Sequence, residues 1–508
     1  MFVRWDRSEP IYQQLYRQIR ESILRGELVP GARLPATRIL AADAGVSRNT
    51  VLLAYDQLRA EGYVDGQVGA GTFVARDLPD SAPHPPRRSP GDMTTERATP
   101  KARMSAYAYR AQMIETPTMA PIGSVIRFDF RYGLPSVAGF PRSTWRKLAA
   151  REAHRLSAET SRYGDTAGLP RLRQVLADYL RRARAVDCDP DHILIVNGSQ
   201  QALDLIARTL IDPGAAVLIE NPHYLGAREV FRAAGARLVP CRVDADGLDI
   251  NAAPKAASRA RLAYVTPSHQ FPSGAVMPLA RRLALLAWAR STNAYVVEDD
   301  YDSEFRYDGR PIESVQALDR AGYVIYVGTM SKTLFPSLRI GFLVVPPALR
   351  KSVLAIKHLS DQHTSGVLQS VLADFIGEGH FERHVRRMRK QNAERRAVLL
   401  QALRDGFGEA AVIQGASAGL HLTLRFPEVA EARTRDIIEA ARSVGVAVYS
   451  VSPYYVRTPK SAGLLLGYAA LSPQEIRSGI LRLGQAFDRT LSNGPQPLST
   501  PGRQSARR

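Results

Sequence analysis

"GTMSKTLFPSLRIG", Gly328–Gly341, follows "YVIYV" (323–327), a run that is entirely apolar, β-branched or aromatic. The run reads as a buried strand and the Pro336 segment as a turn. Lys332 then lies just past the strand's end, with Arg339 seven residues further on. A lysine seldom sits deep in a fold unless something neutralises it or uses it. Upstream, four more apolar runs, "HILIVNG", "AAVLIENP", "RLAYVTP" and "NAYVVEDD", are spaced by helical stretches such as "SQQALDLIARTLI" and "PLARRLALLAWARS". Strands alternating with helices imply an α/β domain whose parallel sheet is covered on both faces. The pattern occupies residues 126–490. Within it, residues 380–490 read as a small C-terminal α+β subdomain opening on the basic helix "FERHVRRMRKQNAERRAVLLQAL". The cations of that helix, Arg383, Arg386, Arg387, Arg389 and Lys390, read as a solvated face, with a contact to nucleic acid as the alternative.

The chain has 508 residues, 45% hydrophobic and 23% charged, enough for several domains and a large core without disulfides. Its two cysteines, Cys188 and Cys241, lie in no metal-ligand spacing and fit a reducing cytoplasm. No apolar run approaches the ~20 residues of a membrane span, and the first residues lack a signal core. A soluble cytoplasmic protein with no membrane partner is expected. Net charge is +19, but residues 1–76 hold ten Arg, no Lys and eight acidic residues, so only +2 of it. Any argument for nucleic acid must therefore rest on pattern rather than on bulk charge.

Residues 1–76 read as compact helices followed by a Gly-rich hairpin. In "LPATRILAADAGVSRNTVLLAYDQLRAEGYV" a first helix, about 36–44, places Ile39 and Leu40 inward and ends at Gly45. Ser47 caps the next helix, whose buried face is Val51, Ala54, Tyr55 and Leu58. Its first turn exposes Arg48, Asn49 and Thr50, where a recognition helix meets base edges and phosphates. "GYVDGQVGAGTFVA" follows as two short strands, a wing. Residues 77–125 contain "DLPDSAPHPPRRSPGDMTTERATP", with six prolines, and read as a flexible, semi-extended linker. Residues 491–508 read as a disordered tail.

Four stretches converge on one chemistry. In "VNGSQQALD", Ser199 and Gln200 open a helix after a strand, where backbone N–H groups can hold a phosphate. In "YVVEDDYDSEF" a strand ends on Asp299, then Tyr301; a buried carboxylate there needs a cationic partner. "GTMSKTLFPSLRIG" supplies Lys332 as an imine-forming amine, with Thr329, Ser331 and Arg339 for the phosphate. "ENPHYLG" offers Tyr224 as a ring to stack on a flat group. Together they ask for a planar, phosphorylated aldehyde with a ring nitrogen, which pyridoxal 5′-phosphate is.

The string from Pro10 to Val64, with "GAGTFV", resembles the winged helix-turn-helix domain of GntR-family transcription regulators. The resemblance implies binding to double-stranded operator DNA through Arg33, Arg38, Ser47, Arg48, Asn49, Thr50 and the wing residue Gly69. The second set of motifs, extended upstream by "YGDTAGLPRLRQVLADYL", resembles fold-type I aminotransferases over roughly residues 126–490. A winged helix fused to such a domain resembles the MocR subfamily of the GntR regulators. This resemblance implies a Schiff base on Lys332, Asp299 paired with the pyridine nitrogen, and Tyr301 on the ring hydroxyl, assisted by His269 or Gln270. It also implies that Tyr163 reaches the phosphate of the partner subunit in a head-to-tail homodimer. The family usually carries Asn-Pro where Phe271-Pro272 stand here.

An aminotransferase needs a second arginine to grip its substrate's carboxylate. The matching stretch is "SAGLLLGYAAL", with Leu465 where arginine is expected; Arg228 and Arg457 are the possible substitutes. The expectation is therefore a pyridoxal-phosphate-dependent regulator, sensing the cofactor itself or an amino acid or amine, with a role in vitamin B6 or amino-acid metabolism. A catalytically active aminotransferase carrying a DNA-binding domain is the alternative.

Overall fold

The computed structural model describes residues 9–67, 71–78, 103–114, 126–155, 158–309 and 312–492. Most of the expected linker, the expected tail beyond residue 492 and the wing residue Gly69 lie outside the described residues. The chain divides into two compact units, Met1–Ala102 and Arg103–Arg508.

In the first unit, helix α1 (Ile11–Leu24) buries Leu15, Ile19 and Ile23, spaced by four so that they share one face. Helix α2 (Thr37–Ala44) ends at Gly45, whose φ of +64° is the left-handed conformation that favours glycine. Helix α3 (Arg48–Ala60) buries Val51, Ala54, Tyr55 and Leu58. The Ser47 hydroxyl accepts the Thr50 N–H at 3.1 Å and so caps α3. Strands β1 (Val64–Gln67) and β2 (Gly71–Val74) pair antiparallel as the hairpin. Ile39, expected inward, is 58% exposed. The buried stripe of α2 is Leu40, Ala41 and Ala44, and Ile39 stands about 100° around the helix from Leu40. Ser47→Ala removes the cap and is expected to cost about 1 kcal/mol, read as earlier loss of this unit when the full chain is unfolded in urea.

Within residues 77–125 the structure places a helix, α4 (Ala106–Gln112), capped by the Ser105 hydroxyl on the Ala108 N–H at 3.2 Å. Arg110 Nε donates to the Ala233 carbonyl at 2.8 Å. This departs from an extended linker over that stretch: "AYAYRAQ" lacks the prolines that precede it, and alanine favours the helix.

The second unit begins with β3 (Phe128–Asp129). Its large sheet contains β4 (Ile193–Val196), β5 (Ala216–Asn221), β6 (Arg237–Asp244), β7 (Gly247–Leu248), β8 (Ala260–Val265), β9 (Tyr295–Asp300), β10 (Val324–Thr329) and β11 (Gly341–Val344). The order is β4-β11-β10-β9-β8-β5-β6-β7. Neighbours from β6 to β10 run parallel. β11 is antiparallel to both β10 and β4, so the sheet is mixed rather than purely parallel. β4, β5, β8, β9 and β10 all point the same way, and their C-terminal ends share one edge. Ligands of open α/β sheets bind along that edge.

The long helix His380–Phe407 leads into a four-stranded antiparallel sheet. Its strands are β12 (Val412–Gln414), β13 (His421–Ala430), β15 (Tyr449–Ser450) and β16 (Ser461–Gly467) in the order β12-β13-β16-β15, while β14 (Val446–Ala447) pairs with β3. Phe407, Phe426 and Phe487 pack at its centre, the last two stacked at 4.4 Å. Where this sheet meets the loop after β8, a Cβ on Gly274 would lie 2.2 Å from Gly415 Cα, so the two backbones touch directly. No helix among the described residues is long and apolar enough to cross a membrane.

Candidate functional site

The first unit presents a polar helix start to solvent. Arg38, Ser47, Arg48 and Asn49 are exposed and Thr50 is half-buried. Arg48 Nε lies 3.4 Å from the Thr37 hydroxyl, which links the starts of α2 and α3. Arg33 is exposed beside the hairpin, its guanidinium 3.0 Å from where a Gly71 Cβ would stand. Arginine and asparagine on the first turn of α3 can read base edges and bind phosphates.

In the second unit, Ser199, Gln200, Tyr224, Asp299, Tyr301, Thr329, Ser331, Lys332 and Arg339 all line one cavity of about 260 Å³ at the shared strand edge. Each comes from the residues that end β4, β5, β9 or β10, or from the turn before β11. Gly198, with φ of +88°, caps the helix Ser199–Leu210, whose first two residues line the cavity. Arg339 Nη2 donates to the Asn197 carbonyl at 2.8 Å. A Cβ on Gly198 would stand 2.7 Å from that nitrogen, so glycine lets the guanidinium lie against the helix start. Behind this turn Asp361 accepts from Asn197 Nδ2 and Gln201 Nε2 at 2.7 Å each, and from Lys357 Nζ at 2.8 Å. Helix start, hydroxyls and guanidinium together make a dianion seat.

Lys332 Nζ donates to the Gly133 carbonyl at 2.9 Å. Burial pushes its pKa down, opposed by the carboxylates of Asp302 and Asp299, which raises the share of neutral, nucleophilic amine. Asp299 is held by the Tyr264 hydroxyl, which donates to Oδ2 at 2.7 Å. Its Oδ1 is buried with no hydrogen-bond partner among the described residues. Burial pushes the Asp299 carboxyl up to about 6. An unpartnered buried carboxylate in the same cavity as a dianion seat suits a protonated ring nitrogen. Tyr224 stands edge-on to Phe271 at 5.7 Å, and burial pushes its hydroxyl up to about 12. The seat, the carboxylate, the amine and the ring fit pyridoxal 5′-phosphate.

Tyr301 donates to the His269 carbonyl at 2.9 Å and lies 3.1 Å from Nδ1 of the same residue. His269 itself does not line the cavity. Its Nδ1 is 3.0 Å from Asp302 Oδ2, which draws the ring behind the wall. Gln270 is also turned away, donating to Glu220, Pro222 and Phe271. Tyr163 is 87% exposed and does not line this cavity; its ring meets His363 edge-on. No motif in the sequence gives a binding role to Tyr132, Gly133, Tyr264, Phe271, Asp302 or His421, all of which line the cavity. Tyr264 closes a strand the sequence shows plainly. His421 arrives from the small subdomain and Tyr132 from the start of the unit, with no local signature.

Leu465 is 0% exposed, opposite Thr423 and Tyr449, and packs with Phe271, Val451 and Tyr454. Arg228 is paired with Glu229 and Arg457 is exposed; neither lines the cavity. Arg339 is the one guanidinium among the described lining residues. A larger cavity of about 830 Å³, lined by Arg242, Asp244 and Arg425, contains none of the buried atoms that lack a partner, so the chemistry belongs to the smaller one. On the basic helix, Arg383, Arg387 and Arg389 donate to carbonyls of Glu378, Gly139 and Glu304, which fastens them to the fold.

Residues 11–74 match the family described as bacterial regulatory proteins, gntR family, and residues 138–483 match aminotransferase class I and II. The chain is 40% identical to the probable rhizopine catabolism regulatory protein MocR of Rhizobium meliloti, over 97% of each chain. It is 30% identical to the HTH-type pyridoxine biosynthesis transcriptional regulator PdxR of Corynebacterium glutamicum, over 93% of this chain and 95% of that one. Among solved structures it is similar to LysN, the α-aminoadipate aminotransferase of Thermus thermophilus, complexed with N-(5′-phosphopyridoxyl)-L-leucine. That likeness has a TM-score of 0.70 and 29% identity, and covers 77% of this chain and 98% of that one.

Proposed function

The chain belongs to the MocR-type transcription regulators of the GntR family, and on that premise we propose that its aminotransferase-like domain senses an amine or the cofactor itself rather than turning over amino acids. The observation that carries the reading is Leu465. A full cofactor seat stands beside this apolar, aromatic-lined position, where the resemblance to aminotransferases expects the arginine that grips a substrate's carboxylate. When bound, pyridoxal phosphate supplies an aldehyde that captures amines and a ring that draws electrons from them. Ser199, Thr329, Ser331 and Arg339 hold the phosphate, Asp299 keeps the ring nitrogen protonated, and Lys332 is the point of attachment. Tyr132, Tyr224 and Phe271 line the same cavity with aromatic surface that would exclude water from the bound group.

The first unit binds double-stranded operator DNA through the exposed start of α3. One winged helix with so little net charge binds weakly, and a homodimer on two half-sites multiplies its affinity. Exposed Tyr163 supports a head-to-tail pair in which that ring completes the partner's phosphate seat. The names of the relatives, a rhizopine catabolism regulator and a pyridoxine biosynthesis regulator, favour control of a catabolic pathway or of vitamin B6 synthesis.

Titrating the full-length protein with pyridoxal phosphate, then with primary amines, while following operator binding by fluorescence anisotropy tests the reading. A change in operator affinity of about fivefold or more is expected, the usual lower range of coupling between sites. An operator affinity indifferent to all of them ends the sensor reading. Steady conversion of amino donors with keto acids ends it in favour of an enzyme.

A further inference from the structure

His269, Asp302 and His421 are each buried to 2% exposure or less, and one ligand atom from each lies within 4.8 Å of the others. Asp302 and His421 line the Lys332 cavity, with His269 directly behind. Three of their atoms, His269 Nε2, Asp302 Oδ1 and His421 Nε2, are buried with no hydrogen-bond partner among the described residues. Buried polar atoms are almost always paired, so three together mark a site for something else.

Their hydrogen-bond partners settle what these atoms can do. His269 Nδ1 faces Asp302 Oδ2 at 3.0 Å, and the Tyr301 hydroxyl gives its own proton to the His269 carbonyl. Nδ1 therefore donates towards Asp302, and in the Nδ1–H tautomer Nε2 is a lone pair. The Pro272 carbonyl, an acceptor, lies beside His421, and a proton on Nδ1 leaves Nε2, which has no partner among the described residues, as a lone pair. Burial holds the His421 ring neutral. Asp302 Oδ1 is a carboxylate oxygen. All three atoms are acceptors, and acceptors repel a carboxylate while binding N–H, O–H or a cation.

We propose that His269, Asp302 and His421 form the subsite for a second hydrogen-bond donor on the effector, so that the ligand class is primary amines bearing a further hydroxyl or ammonium group, not amino acids. The proposal rests on the sensor reading and narrows it. Leu465 supplies the complementary half: among the described lining residues the cavity has no spare guanidinium for a carboxylate and has donor-seeking atoms instead.

Four probes of one length separate the possibilities: 3-amino-1-propanol, 1,3-diaminopropane, β-alanine and propylamine. Each is titrated into the cofactor-loaded full-length protein, and binding is followed by calorimetry and by the visible spectrum. The amino alcohol or the diamine is expected to bind about tenfold or more tighter than propylamine, and β-alanine more weakly than propylamine. Which of the first two binds tighter tells hydroxyl from ammonium. His421→Phe and Asp302→Asn are each expected to bring the preferred ligand down to the affinity of propylamine; cofactor absorbance in each variant reports that the fold is kept.

Equal affinity for all four, or a preference for β-alanine, overturns the proposal while leaving the sensor reading intact. Binding that matches the expected order without any change in operator affinity overturns the sensor reading and keeps the subsite. Stoichiometric divalent metal in the purified protein, lost in His421→Phe, would show that the three atoms hold a metal ion and overturn the proposal in its favour.

Discussion

Lys332→Ala is expected to abolish the visible absorbance of the cofactor-loaded protein and to release the cofactor on gel filtration. Without the amine only non-covalent contacts hold the cofactor, and its apparent Kd should rise ~100-fold or more, roughly 2.8 kcal/mol. The variant should still bind operator DNA, because the first unit has its own hydrophobic core. Its operator affinity should no longer respond to pyridoxal phosphate or to amines. Lys332 is half-buried and its one hydrogen bond among the described residues is to the Gly133 carbonyl, so alanine should cost the cofactor-free fold little. Unfolding of both proteins in urea without cofactor checks that point. A visible band that survives in the variant would falsify the assignment of Lys332.

Asp299→Asn is the second large effect. A charge-assisted hydrogen bond to the ring nitrogen contributes ~1.5–3 kcal/mol, so cofactor affinity should fall about 10- to 150-fold at neutral pH. The same change alters the pH dependence of the cofactor-free protein. Burial raises the Asp299 carboxyl from 3.8 to about 6 in the fold. Between those values the native state binds more protons than the unfolded state, so stability falls as pH rises through that window. The loss is of order 3 kcal/mol, complete above about pH 6, and absent below the unfolded value. Asparagine does not titrate, so the variant should be the more stable apoprotein at pH 7 and lose its advantage towards pH 4. Glu220 and Glu298, raised to about 7 by burial, add slopes of their own. Glu298 is present in both proteins and cancels in the comparison, whereas Glu220 is pushed up in part by Asp299 itself, so its slope shrinks with the substitution in the same direction. Urea midpoints measured from pH 4 to 8 for the pair decide it; parallel curves would remove Asp299 from the role.

The five strands whose C-terminal ends carry the site were legible as apolar runs, because a strand buried on both faces must be apolar throughout. β6 escaped notice. Its "RLVPCRVD" alternates, carries Pro240 and lies towards the sheet's margin. So did the antiparallel course of β11, which depends on how the chain turns after Lys332 and not on composition. In the site, residues within a few positions of a strand end were readable, since one local motif supplies each. Tyr132, Gly133 and His421 were not, because tertiary packing alone brings them there. Ile39 shows the same limit on a smaller scale: an apolar residue beside the buried stripe reads as core until the helix's rotation is known. His269 was visible as a residue, but its bond to Asp302, 33 positions away, was not.

Asp299, left half-paired in the body of the large sheet, bears on the protein's lifetime. A ligand that binds only the folded state adds about 2.7 kcal/mol of stability when its free concentration is one hundred times its Kd. A cell short of vitamin B6 would therefore hold this regulator in a form that opens more often and meets proteases more often. The number of copies on the chromosome would then track the supply of the vitamin, through turnover alone and before any amine arrives.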